Sequence, residues 1–156
     1  MNYIDFREEF YSKSLRRLVI ISSLMSKKKF ANGVPKRVAI IADFLLCNPE
    51  ALQNFLEAFG KPQQSLRINE ILYHDNIANG AVDDMGDFGR TIAFLCELQL
   101  VKFDRVAGEI MLTSMWLPSE KTTPLMEEWK SNLSEIAPLL TSRSENVLYK
   151  KILGLN

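Results

Sequence analysis

The side chains of this sequence that could take part in catalysis are few. The single histidine, His74, lies in a turn-rich stretch beside Asp75. A histidine next to a carboxylate can act as a general base, but no motif places a nucleophile near it. The sequence also lacks a glycine-rich phosphate loop of the Walker type, so we do not expect nucleotide hydrolysis. We predict no catalytic residue and take His74 as a surface or hydrogen-bonded structural histidine.

Metal ligands would have to come from an acidic cluster or from the cysteines. The cluster Asp83, Asp84 and Asp87 is not followed by the glutamate that a calcium loop needs. These acids stand instead at the predicted start of a helix, where negative charge is favoured and where Asp83 or Asp84 is a natural N-cap. Cys47 and Cys96 lie in separate apolar patterns, which predicts buried free thiols in a reducing compartment. We therefore predict neither a metal nor a cofactor.

Composition is typical of one folded domain. The chain has 156 residues, of which 47% are hydrophobic and 24% charged, which suits a single core spanning residues 1–156. No segment reaches the roughly 18 apolar residues of a membrane span. The first residues carry acids and lack the apolar run of a signal peptide. We expect a cytoplasmic protein.

Charge is unevenly placed along the chain although the formal net charge is zero. Residues 1–40 hold nine Lys or Arg against three Asp or Glu, whereas residues 41–110 hold five against eleven. Such asymmetry is typical of a polyanion-facing side or of surfaces that are complementary to partner subunits. If DNA is contacted, we predict nonspecific phosphate contacts by Lys13, Arg16, Arg17, Lys27, Lys28, Lys29, Lys36 and Arg37, joined by Lys102 and Arg105 further along. The alternative interpretation of the N-terminal cations is a solvated helix face and turn.

Apolar periodicity predicts three helices in the first sixty residues. Residues 14–26 and 36–47 form the first two, and the second is apolar enough to be the most buried element. The run from Phe30 to Pro35 predicts a turn between them. Asn48 and Pro49 predict the N-cap and first residue of a third helix, which Gly60 ends.

A helix that leads directly into a hairpin is the clearest local feature. Residues 83–99 have helical spacing, and residues 100–104 and 109–113 then alternate as two strands around Gly108. Helices followed by a helix and a two-stranded hairpin are the order of a winged helix. We predict a mainly α (α+β) fold with a winged-helix-like core at about 14–114 and added terminal helices.

The last third predicts helices at about 122–140 and 145–153, which form a C-terminal extension over residues 116–156. Because they lie outside a minimal winged helix, we expect them to be available for docking on a partner. Aromatic residues near proline-bounded helix starts are typical interface anchors. The predicted partner-interface residues are Asp83, Asp84, Asp87, Trp116 and Trp129. For the two tryptophans, core packing of at least one is the safer interpretation.

The charges of the predicted helix at residues 83–99 do not suit it to recognition of a DNA sequence. In a winged helix it would enter the major groove with basic and polar side chains. Here Asp83, Asp84 and Asp87, with Glu97, oppose the one cation Arg90, and such a face repels phosphates. In the hairpin, Asp104 and Glu109 offset Lys102 and Arg105. The helix is thus better suited to protein contacts.

The stretch from Arg37 to Pro49 resembles a segment of the small middle components of bacterial ABC-three-component systems, with Asp43-Phe44 inside an apolar helix. Phe88-Gly89-Arg90 through Leu100-Val101, then Gly108-Glu109-Ile110 and Leu112-Thr113-Ser114, is similar to the helix and wing of that family. The resemblance covers roughly residues 14–140. It implies a Lamassu-type anti-phage and anti-plasmid defence system. In such a system a small subunit without an active site accompanies an SMC-like coiled-coil ATPase and a nuclease-type effector.

Three hypotheses follow. The first is a non-catalytic adaptor that bridges the ATPase heads and the effector, with a nonspecific contact to double-stranded DNA. The alternative is a free-standing winged-helix transcription regulator, against which the acidic helix argues. The third is an enzyme centred on His74.

Overall fold

The computed structural model describes residues 6–61, 85–113 and 123–153. This part of the chain is mainly helical with one small antiparallel sheet, as the sequence predicts. In chain order its elements are α1 (Phe6–Met25), a short 3-10 helix (Lys28–Phe30), β1 (Val34–Pro35), α2 (Lys36–Cys47), α3 (Pro49–Ala58), α4 (Met85–Glu97), β2 (Val101–Asp104), β3 (Glu109–Leu112), α5 (Pro124–Ser142) and α6 (Glu145–Ile152).

The sheet has three strands in the order β1-β3-β2, all antiparallel. The predicted hairpin is confirmed, with Phe103 paired with Ile110. The strand β1 was not predicted, because its two residues fall inside the run that the sequence assigns to a turn. Gly33 leads into it with φ of +148°, and a Cβ there would lie 3.1 Å from atoms of Glu109 and Met111. A glycine is therefore required where the chain joins the sheet.

The helix α2 lies at the centre of the fold, with the predicted bounds. All its side chains from Val38 to Leu46 are buried except Phe44, which is partly exposed. α1 packs across α2, α4, α5 and the sheet, and it begins at Phe6, eight residues before the predicted start. Because α2 is apolar all round, it needs neighbouring elements on every side. The helices α1 and α5 are two of these neighbours.

The C-terminal helices pack on the chain itself. Trp129, Leu133 and Ile136 of α5 are buried in the same apolar cluster as α1 and α2, and Leu148 of α6 is buried where that helix contacts α2 and α3. The predicted assignment of Trp129 to a partner interface is therefore wrong, because its indole is 2% exposed. The described extension is part of the core.

Two helix ends explain how the chain changes direction. At the end of α4, Leu100 N–H donates to Leu95 O and Gln99 N–H donates to Cys96 O, with Gln99 at φ of 61°. This is a Schellman motif, and it aims the chain directly into β2. At α3, the predicted N-cap residue Asn48 makes no side-chain capping bond, since its Nδ2 donates backwards to Phe44 O at 2.8 Å.

Candidate functional site

A buried charge network joins α1 to α2. Arg16 Nε donates to Asp43 Oδ1 at 2.6 Å, and Arg17 Nη2 and Nε reach Asp43 Oδ2 at 3.1 and 3.3 Å. All three residues are at least nine-tenths buried. Both arginines belong to the predicted DNA-contact set, but their charges are directed at a carboxylate inside the protein. The assignment of Arg16 and Arg17 to a DNA surface is therefore corrected.

The same network holds α4 against α1. Arg17 Nη1 donates to Thr91 Oγ1 at 2.6 Å and to Asp87 O at 3.3 Å, while Nη2 donates to Asp87 Oδ2 at 2.9 Å. The guanidinium also lies 4.9 Å from the centroid of the Phe88 ring. Lys13 Nζ adds an ion pair with Asp87 at 3.6 Å. Every donor of Arg17 is thus used, and the side chain links three helices.

Asp87 is consequently turned towards α1, with its side chain 32% exposed. The sequence predicts it as part of an acidic, partner-facing surface on α4, but its carboxylate turns towards α1. Among the described residues, the exposed charges of α4 are Arg90 and Glu97, which cancel. The other predicted acids, Asp83 and Asp84, lie outside the described residues, as do His74 and Trp116. The described outer face of α4 is therefore close to neutral.

The two carboxyl groups titrate below their usual range. Burial alone would raise the pKa of Asp43, but the charges of Arg16 and Arg17 and their hydrogen bonds lower it overall. Burial likewise opposes the lowering of the pKa of Asp87, which the hydrogen bond and charge of Arg17 and the charge of Lys13 bring about. Both pKa values are lower in the fold than in the unfolded chain, so the unfolded chain binds protons first as pH falls.

We predict that this network stabilises the fold fully above about pH 4, near the usual carboxyl range, and loses its contribution as pH falls through the lowered pKa values. Urea midpoints measured at a series of pH values should decrease steeply on the acid side. A Glu97→Gln variant, altered at an exposed carboxyl group, should follow the unmodified chain. A midpoint that stays constant well below pH 4 would contradict the prediction.

A small polar cavity of about 120 Å³ adjoins the network between α1, α2 and α4. Asn48 Oδ1 is buried beside it without a hydrogen-bond partner among the described residues. The cavity lining is Lys13, Arg16, Arg17, Ile40, Asp43, Phe44, Cys47, Asn48, Asp87 and Phe88. The charged groups in this lining already pair with one another in the network, so the cavity is best explained as part of the contact between the three helices.

The cysteines are free thiols, as predicted, but both are partly rather than fully buried. Burial raises the pKa of Cys47 to about 11, so its reactive thiolate is scarce near neutral pH. We predict that a thiol reagent at about pH 8 modifies the Cys47→Ser variant, which retains Cys96, faster than the Cys96→Ser variant. Denaturant should remove the difference. Equal rates in the folded variants would be the contrary result.

A second, larger concavity of about 380 Å³ lies between α4, β2 and the start of α2. We call it the α4–β2 groove; it is lined by Lys36, Gly89, Ile92, Ala93, Cys96, Phe103 and Arg105. Lys36 Nζ lies 5.7 Å from the centroid of the Phe103 ring. Among the described residues no carboxylate lines the groove. It combines an apolar floor with a positive rim.

The remaining predicted DNA-contact residues stay at the surface to different degrees. Lys13 is ion-paired with Glu9 and Asp87, and Lys36 is half-buried in the α4–β2 groove. The exposed members of the set are Lys27, Lys28, Lys29, Arg37, Lys102 and Arg105. Lys27 to Lys29 follow the end of α1, and Arg37 stands in the first turn of α2. The exposed cations thus occur at both ends of the β1 segment and on the hairpin.

Within residues 6–61, 85–113 and 123–153, no three His, Cys, Asp or Glu side chains are grouped so that they could hold a metal ion. The helices of the same ranges include none that is long and apolar enough to span a membrane. Comparison of the chain with protein-family models, with curated proteins and with solved structures gave no match.

Sequence analysis missed both the network and the α4–β2 groove. Asp43 is the one charge in α2 after Arg37, and a lone acid in an otherwise buried helix indicates a buried cation as its partner. That signal was available, whereas the identity of the partner needed the crossing of α1 over α2. The groove was missed because it forms only when α4 folds against β2 and when Lys36, distant in the chain, is placed beside both.

Proposed function

We propose that the chain is a non-catalytic adaptor subunit of an SMC-like ATPase defence complex, which bridges the ATPase heads and a nuclease-type effector. The observation that carries the proposal is a helix that leads into a hairpin beside an open basic groove, an order that is typical of winged helices. The helix α4 runs through a Schellman turn into the hairpin β2–β3, and β1, which separates α1 from α2, joins the same sheet. Lys36 and Arg105 border the groove beside this unit.

The firm attachment of α4 supports a role as a docking platform. Arg17 fixes α4 to α1 and α2 through buried contacts, so the groove lies between elements whose relative positions are set. Preorganised surfaces bind partners with a smaller entropic cost. Isolation of the tagged chain from its host, with identification of an SMC-like ATPase in stoichiometric amounts, tests the proposal.

A nonspecific contact with double-stranded DNA is the second part of the proposal. The exposed cations Lys27, Lys28 and Lys29 are joined by Arg37 and Lys102, and phosphate neutralisation by such residues is sequence-independent.

We predict that a Lys28→Glu/Lys29→Glu variant binds random duplex DNA more weakly, with the slope of log affinity against log salt reduced by about one per lost contact. Fluorescence anisotropy over a salt series measures this. The charge-matched control Lys130→Glu/Lys150→Glu alters exposed lysines on α5 and α6 and should bind as the unmodified chain does. Equal slopes in all three proteins would contradict the DNA contact.

A free-standing transcription regulator is favoured by one observation. Because Asp87 turns towards α1, the described outer face of α4 carries less negative charge than the sequence suggests, and Arg90 is exposed on it. A regulator would select one operator from a pool of random duplexes, with a preference of about a thousandfold or more over nonspecific DNA. The adaptor proposal expects no selected sequence.

The enzyme hypothesis is tested at His74. Replacing His74 by Ala should abolish the protein's function in its host if this side chain is a general base. The adaptor proposal expects defence against phage or plasmid to be unchanged. This variant therefore separates the two classes of protein with one experiment.

A further inference from the structure

The α4–β2 groove combines an apolar floor with a positively charged rim. Its floor is apolar, with Ile92 buried and Cys96 and Phe103 partly exposed. Its volume of about 380 Å³ lies in the range of preformed binding sites. An apolar concavity of this size can accept one or two apolar side chains of a partner.

The cations at its rim, Lys36 and Arg105, make no ion pair within the part of the chain that the structure describes. Among the described residues, no carboxylate lies within ion-pair distance of Lys36 Nζ or of the Arg105 guanidinium. Lys36 Nζ instead lies over the Phe103 ring, and a Cβ added at Gly89 would meet it at 3.9 Å. The ammonium group is thus held between α4 and β2, above the apolar floor.

We propose that the α4–β2 groove docks an acidic segment of a partner protein, which inserts a leucine or phenylalanine side chain and pairs its carboxylates with Lys36 and Arg105. This inference rests on the proposed adaptor function and names the surface and the chemistry of the partner. Charge complementarity at a rim around an apolar anchor is the usual anatomy of a peptide-binding site.

A protein segment fits the groove better than DNA does. Phosphate oxygens need hydrogen-bond donors, and pressing them against Ile92, Ala93 and Phe103 would remove water without replacing its hydrogen bonds. An acidic peptide with an apolar side chain satisfies the floor and the rim together. The proposed DNA contact instead uses the cations outside the groove, such as Lys28 and Lys29.

The test uses the full-length chain and a short fluorescein-labelled peptide in which glutamates alternate with leucine and phenylalanine. Fluorescence anisotropy should show saturable binding. Ala93→Glu puts a carboxylate on an exposed groove position, and Lys36→Glu/Arg105→Glu reverses the rim. Each variant should weaken binding about tenfold or more: Ala93→Glu repels the acidic peptide, and Lys36→Glu/Arg105→Glu removes both rim pairs. Lys102→Glu reverses a charge on the opposite face of β2 and should bind normally.

Cys96 supplies an independent readout because it lines the groove. In a Cys47→Ser background, saturating acidic peptide should slow modification of Cys96 by a thiol reagent, while a peptide with glutamine in place of each glutamate should protect much less. Equal binding of both peptides would overturn the proposal. A Lys36→Glu/Arg105→Glu variant that loses duplex DNA binding but binds the peptide as tightly as the unmodified chain does would also overturn it. A dimer that Ala93→Glu dissociates would assign the groove to a second copy instead.

The peptide assay tests the groove assignment, and the isolation experiment tests the proposed adaptor function, so a negative result in one is distinguishable from a negative result in the other. Absence of peptide binding overturns the groove assignment even if an ATPase co-purifies with the chain. Absence of any co-purifying ATPase overturns the proposed adaptor function even if the peptide binds. An ATPase that still co-purifies with the Ala93→Glu variant in undiminished yield would also count against the groove as its docking site.

Discussion

Replacing Asp43 by Ala is expected to lower the free energy of unfolding by about 3–5 kcal/mol, because it removes the buried carboxylate that both Arg16 and Arg17 contact. Arg16 and Arg17 both donate to this carboxylate, and their side chains are only 10% and 5% exposed. Arg17 keeps Asp87 as a partner, whereas the short 2.6 Å bond from Arg16 is lost. Urea denaturation measures the difference.

Two further variants keep this prediction specific. Glu9→Ala breaks the exposed Lys13–Glu9 pair and should cost no more than about 1 kcal/mol. A triple variant with Arg16→Met, Arg17→Met and Asp43→Leu removes the charges together and should recover much of the loss, because burying charged groups is itself costly. If Asp43→Ala is as stable as the unmodified chain, the network does not hold the helices together.

Replacing Trp129 by Ala is expected to lower the free energy of unfolding by about 3–5 kcal/mol, the range for removing a large buried aromatic side chain. The indole is 2% exposed within the cluster formed with α1 and α2. Its Nε1 has no hydrogen-bond partner among the described residues, so Trp129→Phe should cost clearly less than Trp129→Ala. Thermal or urea unfolding of the three proteins provides the comparison.

The neighbouring Lys130→Ala variant is the control, since Lys130 is exposed on the same helix and should change stability by no more than about 0.5 kcal/mol. A loss of similar size in both variants would mean that α5 itself is disturbed. If Trp129→Ala does not lower the free energy of unfolding, α5 does not contribute to the core. That result would favour the sequence-based expectation that the C-terminal helices dock on a partner.

Local pattern was enough to predict most of the helices and the hairpin. The apolar stripe of α2, the Asn48-Pro49 boundary and the alternation around Gly108 are all set by neighbours in the chain. The strand β1 was missed because two residues are too short for a period-two pattern, and Val34 joins the sheet only through Ile110. The early start of α1 was missed because polar residues separate Phe6 from Phe10 and Tyr11, which leaves its first turns without a continuous apolar stripe.

The site was harder to predict because it depends on contacts between distant elements. The sequence predicts Arg16 and Arg17 as surface cations. The crossing of α1 over α2 instead places both side chains against Asp43. Asp87 stands in the first turn of a helix, where the helix dipole alone explains an acid. In the fold its carboxylate also accepts a hydrogen bond from Arg17. Charge counts along the chain therefore overestimated both the basic surface of α1 and the acidic surface of α4.

We propose that this chain works as an adaptor within an SMC-like ATPase complex, and native mass spectrometry of the tagged chain isolated from its host tests this proposal most directly. The account predicts that a coiled-coil ATPase is recovered at a fixed ratio with the 17.8 kDa chain, together with a nuclease-type effector. Recovery of the chain as a monomer that supports its biological function without partners would contradict the account.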